Sequence, residues 1–199
     1  HEEAISFGDG GLDLVLSGLS LQFVNDLPGT QVQNRRALKP HGQLHAGLMG
    51  RETLKEMRHA WFIAEEELTG GASPRVAPFI DVRALGGLSQ RAQFALPVVD
   101  SEILTVTYKT PMALFEELRG MGASNVLSAR RPVPVTRGLL LRACELYEEL
   151  FATGDGLIPA TFEVLTLTAW VPDESQPKPL KPGSAEVSLA KVLGKGRGR

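Results

Sequence analysis

The stretch from Leu12 to Met49 narrows the possible folds more than any other part of the chain. Leu12-Asp13-Leu14-Val15-Leu16-Ser17-Gly18-Leu19 is rich in leucine and follows a Gly10-Gly11 turn, a pattern that predicts a strand buried on both faces. Asn25 or Asp26 can cap the helix that follows, Pro28 suits its first turn, and Lys39-Pro40-His41-Gly42 closes it. A second strand is then expected near Gln43. Strand, helix and strand in this order make a β-α-β crossover, the unit of a parallel sheet covered by helices.

The rest of the chain continues in α/β style. In the helix Leu27 to Leu38, Gln31 and Asn34 fall on the face that meets the sheet, where an unpaired amide costs roughly 1–3 kcal/mol. His45 interrupts the second strand and points to one face only, so it meets either a polar cleft or the core, and the structural role is favoured. Leu54, Met57, Trp61, Ala64 and Leu68 step by three and four, which predicts an amphipathic helix with Trp61 in the core and Glu65-Glu66-Glu67 as a solvated end. Gly70 to Pro78 reads as a loop, and Asp81 caps a helix to about Ala92 that Gly86-Gly87 weakens. Pro97 to Tyr108 supplies a strand with a kink at Asp100-Ser101-Glu102. Pro111 begins a helix to Met121, Gly122 to Pro134 is a link, and Thr136 caps a helix with the stripe Leu139, Ala143, Leu146 and Leu150. Pro159 to Val171 is a final strand, and the prolines between Pro172 and Leu193 suit an extended strap or a linker.

Composition limits the function classes. With 199 residues, 43% of them hydrophobic, the chain can bury a core as one domain over 1–171, followed by a Pro-rich strap and basic tail over 172–199. A net charge of −2 gives no general attraction to nucleic acid or acidic membranes. No run approaches the ~20 apolar residues of a membrane helix. The single Cys144 reads as a structural thiol, and with the lack of a signal-peptide pattern at His1-Glu2-Glu3 it suggests a reducing cytoplasm. The histidines show no metal-ligand spacing with Cys144 or with each other.

Ile5-Ser6-Phe7, Leu12 to Val15, Leu21-Gln22-Phe23-Val24-Asn25-Asp26-Leu27 and Arg35 to Gly42 together resemble the second half of a class I S-adenosylmethionine (SAM) dependent methyltransferase. Phe151 to Gly156, Ile158 to Glu163, Gly183-Ser184-Ala185 and the more specific Ser175-Gln176-Pro177-Lys178-Pro179 are similar to the branch that holds bacterial methyltransferases and the methyltransferase-like assembly factors of mitochondrial complex I. The resemblance implies an α/β fold, the C-terminal part of a Rossmann-like sheet with strands 4-5-7-6 and flanking helices, strands 1-3 being absent. It implies that Ser17, Gly18 and Leu19 line a SAM pocket at the carboxyl end of strand 4, with Glu2 and Glu3 bordering the adenine, although His1 stands where the family has an adenine-binding Asp. On the substrate side it implies Gln22 and Phe23, the latter in place of a commoner Trp, with Arg75 and Phe79 near the mouth of the site.

A glycine-rich turn and a ribose-binding carboxylate are needed to hold SAM closely. Neither occurs in these residues, because Gly10-Gly11, Gly70-Gly71 and Gly86-Gly87 all lack the spacing. The expected function is therefore methyl transfer from SAM to an unidentified acceptor by a larger protein, with weak or no SAM binding by this chain alone. Two alternatives stand beside it: an assembly-factor-like protein linked to arginine hydroxylation on a partner, and an interaction module without catalysis. The bare edge of strand 4 invites pairing with another chain, a protein substrate or a second copy.

Overall fold

The computed structural model describes residues 3–176. Four strands form one mixed sheet in the order β1-β2-β4-β3. β1 (Leu12–Gly18) and β2 (Leu38–Met49) run parallel, joined by α1 (Leu27–Ala37). β4 (Ile158–Trp170) inserts between β2 and β3 (Ala95–Tyr108) and is antiparallel to both. This is the 4-5-7-6 order expected from the sequence.

Three of the caps are those the sequence predicts, and Thr110 is a fourth that the sequence reading does not name. Asp26 accepts from the Gly29 N–H at 2.8 Å, and Gly29 has to be glycine because a Cβ there would overlap the Asp26 carboxylate. Asp81, Thr110 and Thr136 cap α3 (Val82–Arg91), α4 (Pro111–Gly120) and α5 (Arg137–Phe151) through the N–H groups of Ala84, Ala113 and Leu139.

Lys39-Pro40-His41-Gly42 does not close a helix. α1 ends at Ala37 and the chain enters β2 at Leu38, whose buried side chain is 3% exposed and pulls the backbone onto the sheet. Leu12 pairs with Leu38 and Leu14 with Gln43, so the extra residues form a bulge in which His41 takes φ 64°. A bulge tolerates Pro40 because no ladder N–H is needed there.

Two cores divide the molecule. On one sheet face, Leu44, Ala46 and Leu48 of β2 and Leu165, Leu167 and Ala169 of β4 pack with Leu85 of α3 and Phe94. The second core lies past the carboxyl end of β2, where β3 and β4 continue alone as a ribbon. There α2 (Lys55–Thr69), α4 and α5 close around Tyr108, Ile158 and Ala160 to make a helical cap.

The expectation that β1 is buried on both faces fails. Leu14 and Leu16 are 46% and 71% exposed. Register places them on one face with Gln43, His45, Thr168, Trp170 and Val98, and among the described residues no helix packs over their end of that face. β1 pairs on one side only, so it is a sheet edge. On this face His45 has a structural place: its ring nitrogens meet the Gln43 amide oxygen at 3.0 Å and the Thr168 hydroxyl at 3.1 Å.

Three smaller expectations also change. β3 is continuous through Asp100-Ser101-Glu102, and its irregularity falls between Ala95 and Val98, where Leu96 has φ 49°. Leu68 and Leu150 lie in the last turns of their helices and are exposed, Leu150 on the rim of a cleft it shares with Lys55, Glu56 and His59 of α2. Glu65 is wholly buried rather than solvated, because the loop after α2 folds back and gives it Ser73 and Arg75 as partners. The end of the 1–171 unit is tied to the sheet by the Val171 N–H donating to Gly42 at 2.9 Å, and the proposed strap lies outside the described residues beyond Gln176.

Candidate functional site at the carboxyl edge of the sheet

β1 runs out at Gly18, and the backbone then turns sharply. Leu19 adopts φ 54°, a left-handed conformation that costs a leucine roughly 1–2 kcal/mol, and its N–H donates to the Gly47 carbonyl of β2 at 3.0 Å. A single 3-10 turn, Leu21–Phe23, follows. Leu21 anchors it in the sheet core, while Phe23 on the same turn is 65% exposed. The Gln22 amide nitrogen donates to the Leu19 carbonyl at 2.6 Å. Its amide oxygen is buried and has no partner. The Ser17 and Ser20 hydroxyls bond each other at 2.9 Å, and a Cβ on Gly18 would meet nothing within 4 Å, so the space over the strand end is open.

The N-terminal loop brings one more residue to this edge. The Gln33 side chain holds the loop to α1 by donating to the Glu3 carbonyl at 2.8 Å and accepting from the Ile5 N–H at 3.1 Å. The Glu3 carboxylate accepts from the Asn25 backbone N–H and, at 3.0 Å, from its amide nitrogen. Glu3, Ser17, Gly18, Leu19, Gln22 and Phe23 thus assemble into one lip. Glu2 lies outside the described residues. The lip carries the Glu3 carboxylate, while Asp9 and Asp13 lie at the other end of β1 and are paired with Arg36 and Lys39.

Arg75 and Phe79 do not join this lip. The Arg75 guanidinium pairs with Glu65 and lies over the Trp61 ring at 5.1 Å, and Phe79 packs against the cap core. Burial alone pushes the Glu65 carboxyl up, but the Ser73 N–H, Arg75 and the Ser73 hydroxyl outweigh it and hold the group below the usual carboxylate range. Trp61 is core, as expected from its place on the helix stripe.

Sequence reasoning missed a second polar cluster, at the end of β2. The buried Glu163 carboxylate accepts from the Glu52 N–H at 2.8 Å and the Ser101 hydroxyl at 2.7 Å, and it fills the space a side chain at Gly50 would need. Glu56 accepts from the Thr161 N–H and hydroxyl at 3.1 and 2.5 Å. The available signal was the Thr161-x-Glu163 alternation on one strand face opposite Gly50 and Thr53. Both carboxylates are occupied by protein donors, so the cluster ties α2 to β4 and offers no free base. A cleft of about 480 Å³ lined by Lys55, Glu56, His59, Leu150 and Phe151 opens on the cap beside it. Among the described residues no group of His, Cys, Asp and Glu could hold a metal ion, and no helix is long and apolar enough to cross a membrane.

A mixed sheet in this order is the C-terminal part of the class I SAM-dependent methyltransferase fold. A putative methyltransferase from Bacillus halodurans superimposes with a TM-score of 0.53 at 16% identity, covering 86% of this chain and 75% of that one. The YcgJ protein of Bacillus subtilis does so with the same TM-score at 9% identity, covering 86% and 69%. No profile of a known family matches the sequence.

The chain is similar in sequence to mitochondrial arginine-hydroxylases named NDUFAF5 and to malonyl-[acyl-carrier protein] O-methyltransferases. It is 40% identical to the zebrafish (Danio rerio) NDUFAF5 over 189 residues, 95% of this chain and 59% of that protein. The human protein is 40% identical over 191 residues, 96% and 55%. A malonyl-[acyl-carrier protein] O-methyltransferase of Gallionella capsiferriformans is 36% identical over 170 residues, 85% and 56%. The chain spans about half the length of these relatives. The cytoplasmic expectation is overturned here, since the relatives of 39–40% identity are named as mitochondrial.

SAM can be tested against the lip itself. The open space over Gly18 and the exposed ring of Phe23 fit one side of such a cofactor. The glycine-rich turn that would close the other side is not among these residues.

Proposed function

We propose that the chain forms the acceptor-side half of a SAM-dependent methyltransferase-like protein, working in the mitochondrion. The observation that carries this reading is the lip at the end of β1, where Leu19, Gln22 and Glu3 converge under open space at the carboxyl edge of the sheet. SAM, when bound, supplies a methyl group on a sulfonium. The chain's own residues bind and orient: the fixed Leu19 peptide shapes the edge, Gln22 holds that peptide, Glu3 brings a carboxylate to the rim, and the Phe23 ring shields the site from water. The helical cap sits over the same edge and supplies the acceptor's surroundings. The free edge of β1 is the surface on which the remainder of the domain, or a second copy, pairs.

The test is calorimetric titration with S-adenosylhomocysteine of the 199-residue chain and of the same chain within its whole protein. Binding by the whole protein and weak or no binding by the chain supports the reading. Absence of binding in both refutes it.

A second reading, hydroxylation of arginine on a partner protein, is favoured by one observation: identity to the hydroxylases is 40% over 95% of the chain, against 36% over 85% for the O-methyltransferase. Mass spectrometry of an arginine-bearing substrate incubated with the whole protein separates the two by a methyl or an oxygen increment.

A further inference from the structure

Two unfavourable features meet within four residues at the lip. Leu19 holds a left-handed backbone that a leucine rarely adopts, and Gln22 buries an amide oxygen with no partner. The orientation of that amide is fixed by chemistry. Its nitrogen lies 2.6 Å from the Leu19 carbonyl, and turning the amide over would set two oxygen acceptors against each other at that distance. Local strain and unsatisfied polar atoms gather where a protein binds something. Both features here lie on one turn, tied together by one hydrogen bond.

We propose that Gln22 is the positioning residue of the lip: its nitrogen clamps the Leu19 carbonyl and holds the left-handed bend that shapes the edge where the ligand sits. The clamp closes a short circuit of contacts. Gly47 of β2 accepts from the Leu19 N–H, Gln22 donates to the Leu19 carbonyl, and Leu21 between them is locked in the core. The peptide at the end of β1 is thereby held from both sides, while Gly18 leaves the space in front of it clear. The role rests on the reading of this lip as the cofactor edge. It goes beyond that reading by assigning the shape of the edge to one side-chain clamp.

The experiment titrates S-adenosylhomocysteine into the whole protein carrying Gln22, Gln22→Ala, Gln22→Glu, Leu19→Gly, or Leu19→Gly with Gln22→Ala, with a thermal melt on each sample. Gln22→Ala is expected to weaken binding by roughly tenfold or more. Gln22→Glu keeps an oxygen but sets it against the Leu19 carbonyl, so it does not rescue. Glycine adopts the left-handed bend without a clamp, so the Gln22→Ala change is expected to cost less affinity in the Leu19→Gly background than alone. Unchanged affinity in Gln22→Ala, or the same loss in both backgrounds, overturns the positioning role while leaving the cofactor reading intact. A lowered melting temperature with unchanged affinity shows a merely structural glutamine and overturns it too. Failure of the wild-type protein to bind refutes the cofactor reading, and this role with it.

Discussion

Glu65 in the cap and Gln31 under the sheet are both polar side chains on helices, both wholly buried, and they meet opposite fates. Glu65 accepts from the Ser73 backbone at 2.5 Å, from the Ser73 hydroxyl and from Arg75, whose other face is covered by Trp61. Gln31 has neither its nitrogen nor its oxygen paired. The same division runs through the two regions. In the cap, Tyr147 donates to the Pro159 carbonyl at 2.8 Å, Glu56 is saturated by Thr161, and the apolar stripes face each other. Beside β1, leucines face outward, a leucine is strained and a glutamine oxygen is orphaned. The cap leaves one buried atom, Arg58 Nε, unpaired and one leucine, Leu54, left-handed, whereas the β1 side leaves three side-chain atoms of Gln22 and Gln31 unpaired beside outward-facing leucines. The β1 side carries costs that a complementary surface or ligand would offset.

The largest test of this contrast removes Arg75. Arg75→Ala leaves the Glu65 carboxylate buried and unpaired, and breaking a buried pair from one side costs about 3–5 kcal/mol. Urea denaturation monitored at the two tryptophans is the measurement. A loss below about 1 kcal/mol means the cap's ion pair behaves like a surface one, and the contrast between the regions collapses.

The same pair can be read by pH. The folded Glu65 carboxyl is held below its ordinary value near 4.5, so the unfolded chain binds the proton more readily. Its stabilising contribution is full above that value and is lost as pH falls through the lower folded one. Melting temperature is expected to drop more steeply with acid in the parent chain than in Glu65→Gln. Parallel slopes remove Glu65 as the source.

How much of this contrast was legible in the sequence follows from the range of the interactions involved. Caps were readable because they rest on neighbours: Asp26, Asp81 and Thr136 each reach an N–H three residues on, whereas the strand order came with the family resemblance. The burial of Gln31 followed from helix spacing alone. Glu65 was misread because its partners Ser73 and Arg75 come from a loop that folds back, which no period within the helix reports. The exposure of Leu14 and Leu16 was misread because a leucine-rich strand has the same pattern whether or not the layer over it is present. Leu19 and Gln22 were placed at the site by resemblance. Their positive φ and orphan oxygen exist only in three dimensions.

On the other side of the comparison, Gln31→Met keeps the shape of the side chain and removes two unpaired polar groups. Stability is expected to rise by about 1–2 kcal/mol, read as a higher urea midpoint with an unchanged slope. A fall instead of a rise means that a water or another group satisfies the amide, and then the region beside β1 is not under-satisfied at this position.

The smallest expected effect concerns the edge itself. Leu16 is 71% exposed on a strand paired on one side only, so Leu16→Lys removes no packing within the chain and its effect on monomer stability is expected to stay within about 0.5 kcal/mol. Association is another matter, because an apolar edge strand recruits a partner strand and a lysine on it opposes pairing. Sedimentation of the isolated chain against concentration is expected to show self-association that Leu16→Lys weakens, while Leu141→Lys, on a half-exposed leucine of the cap helix α5, leaves it unchanged. If both variants dissociate the chain equally, general surface hydrophobicity drives it and the β1 edge has no special standing. If only Leu16→Lys does so, the free edge of β1 is the surface through which this half of the fold finds its complement.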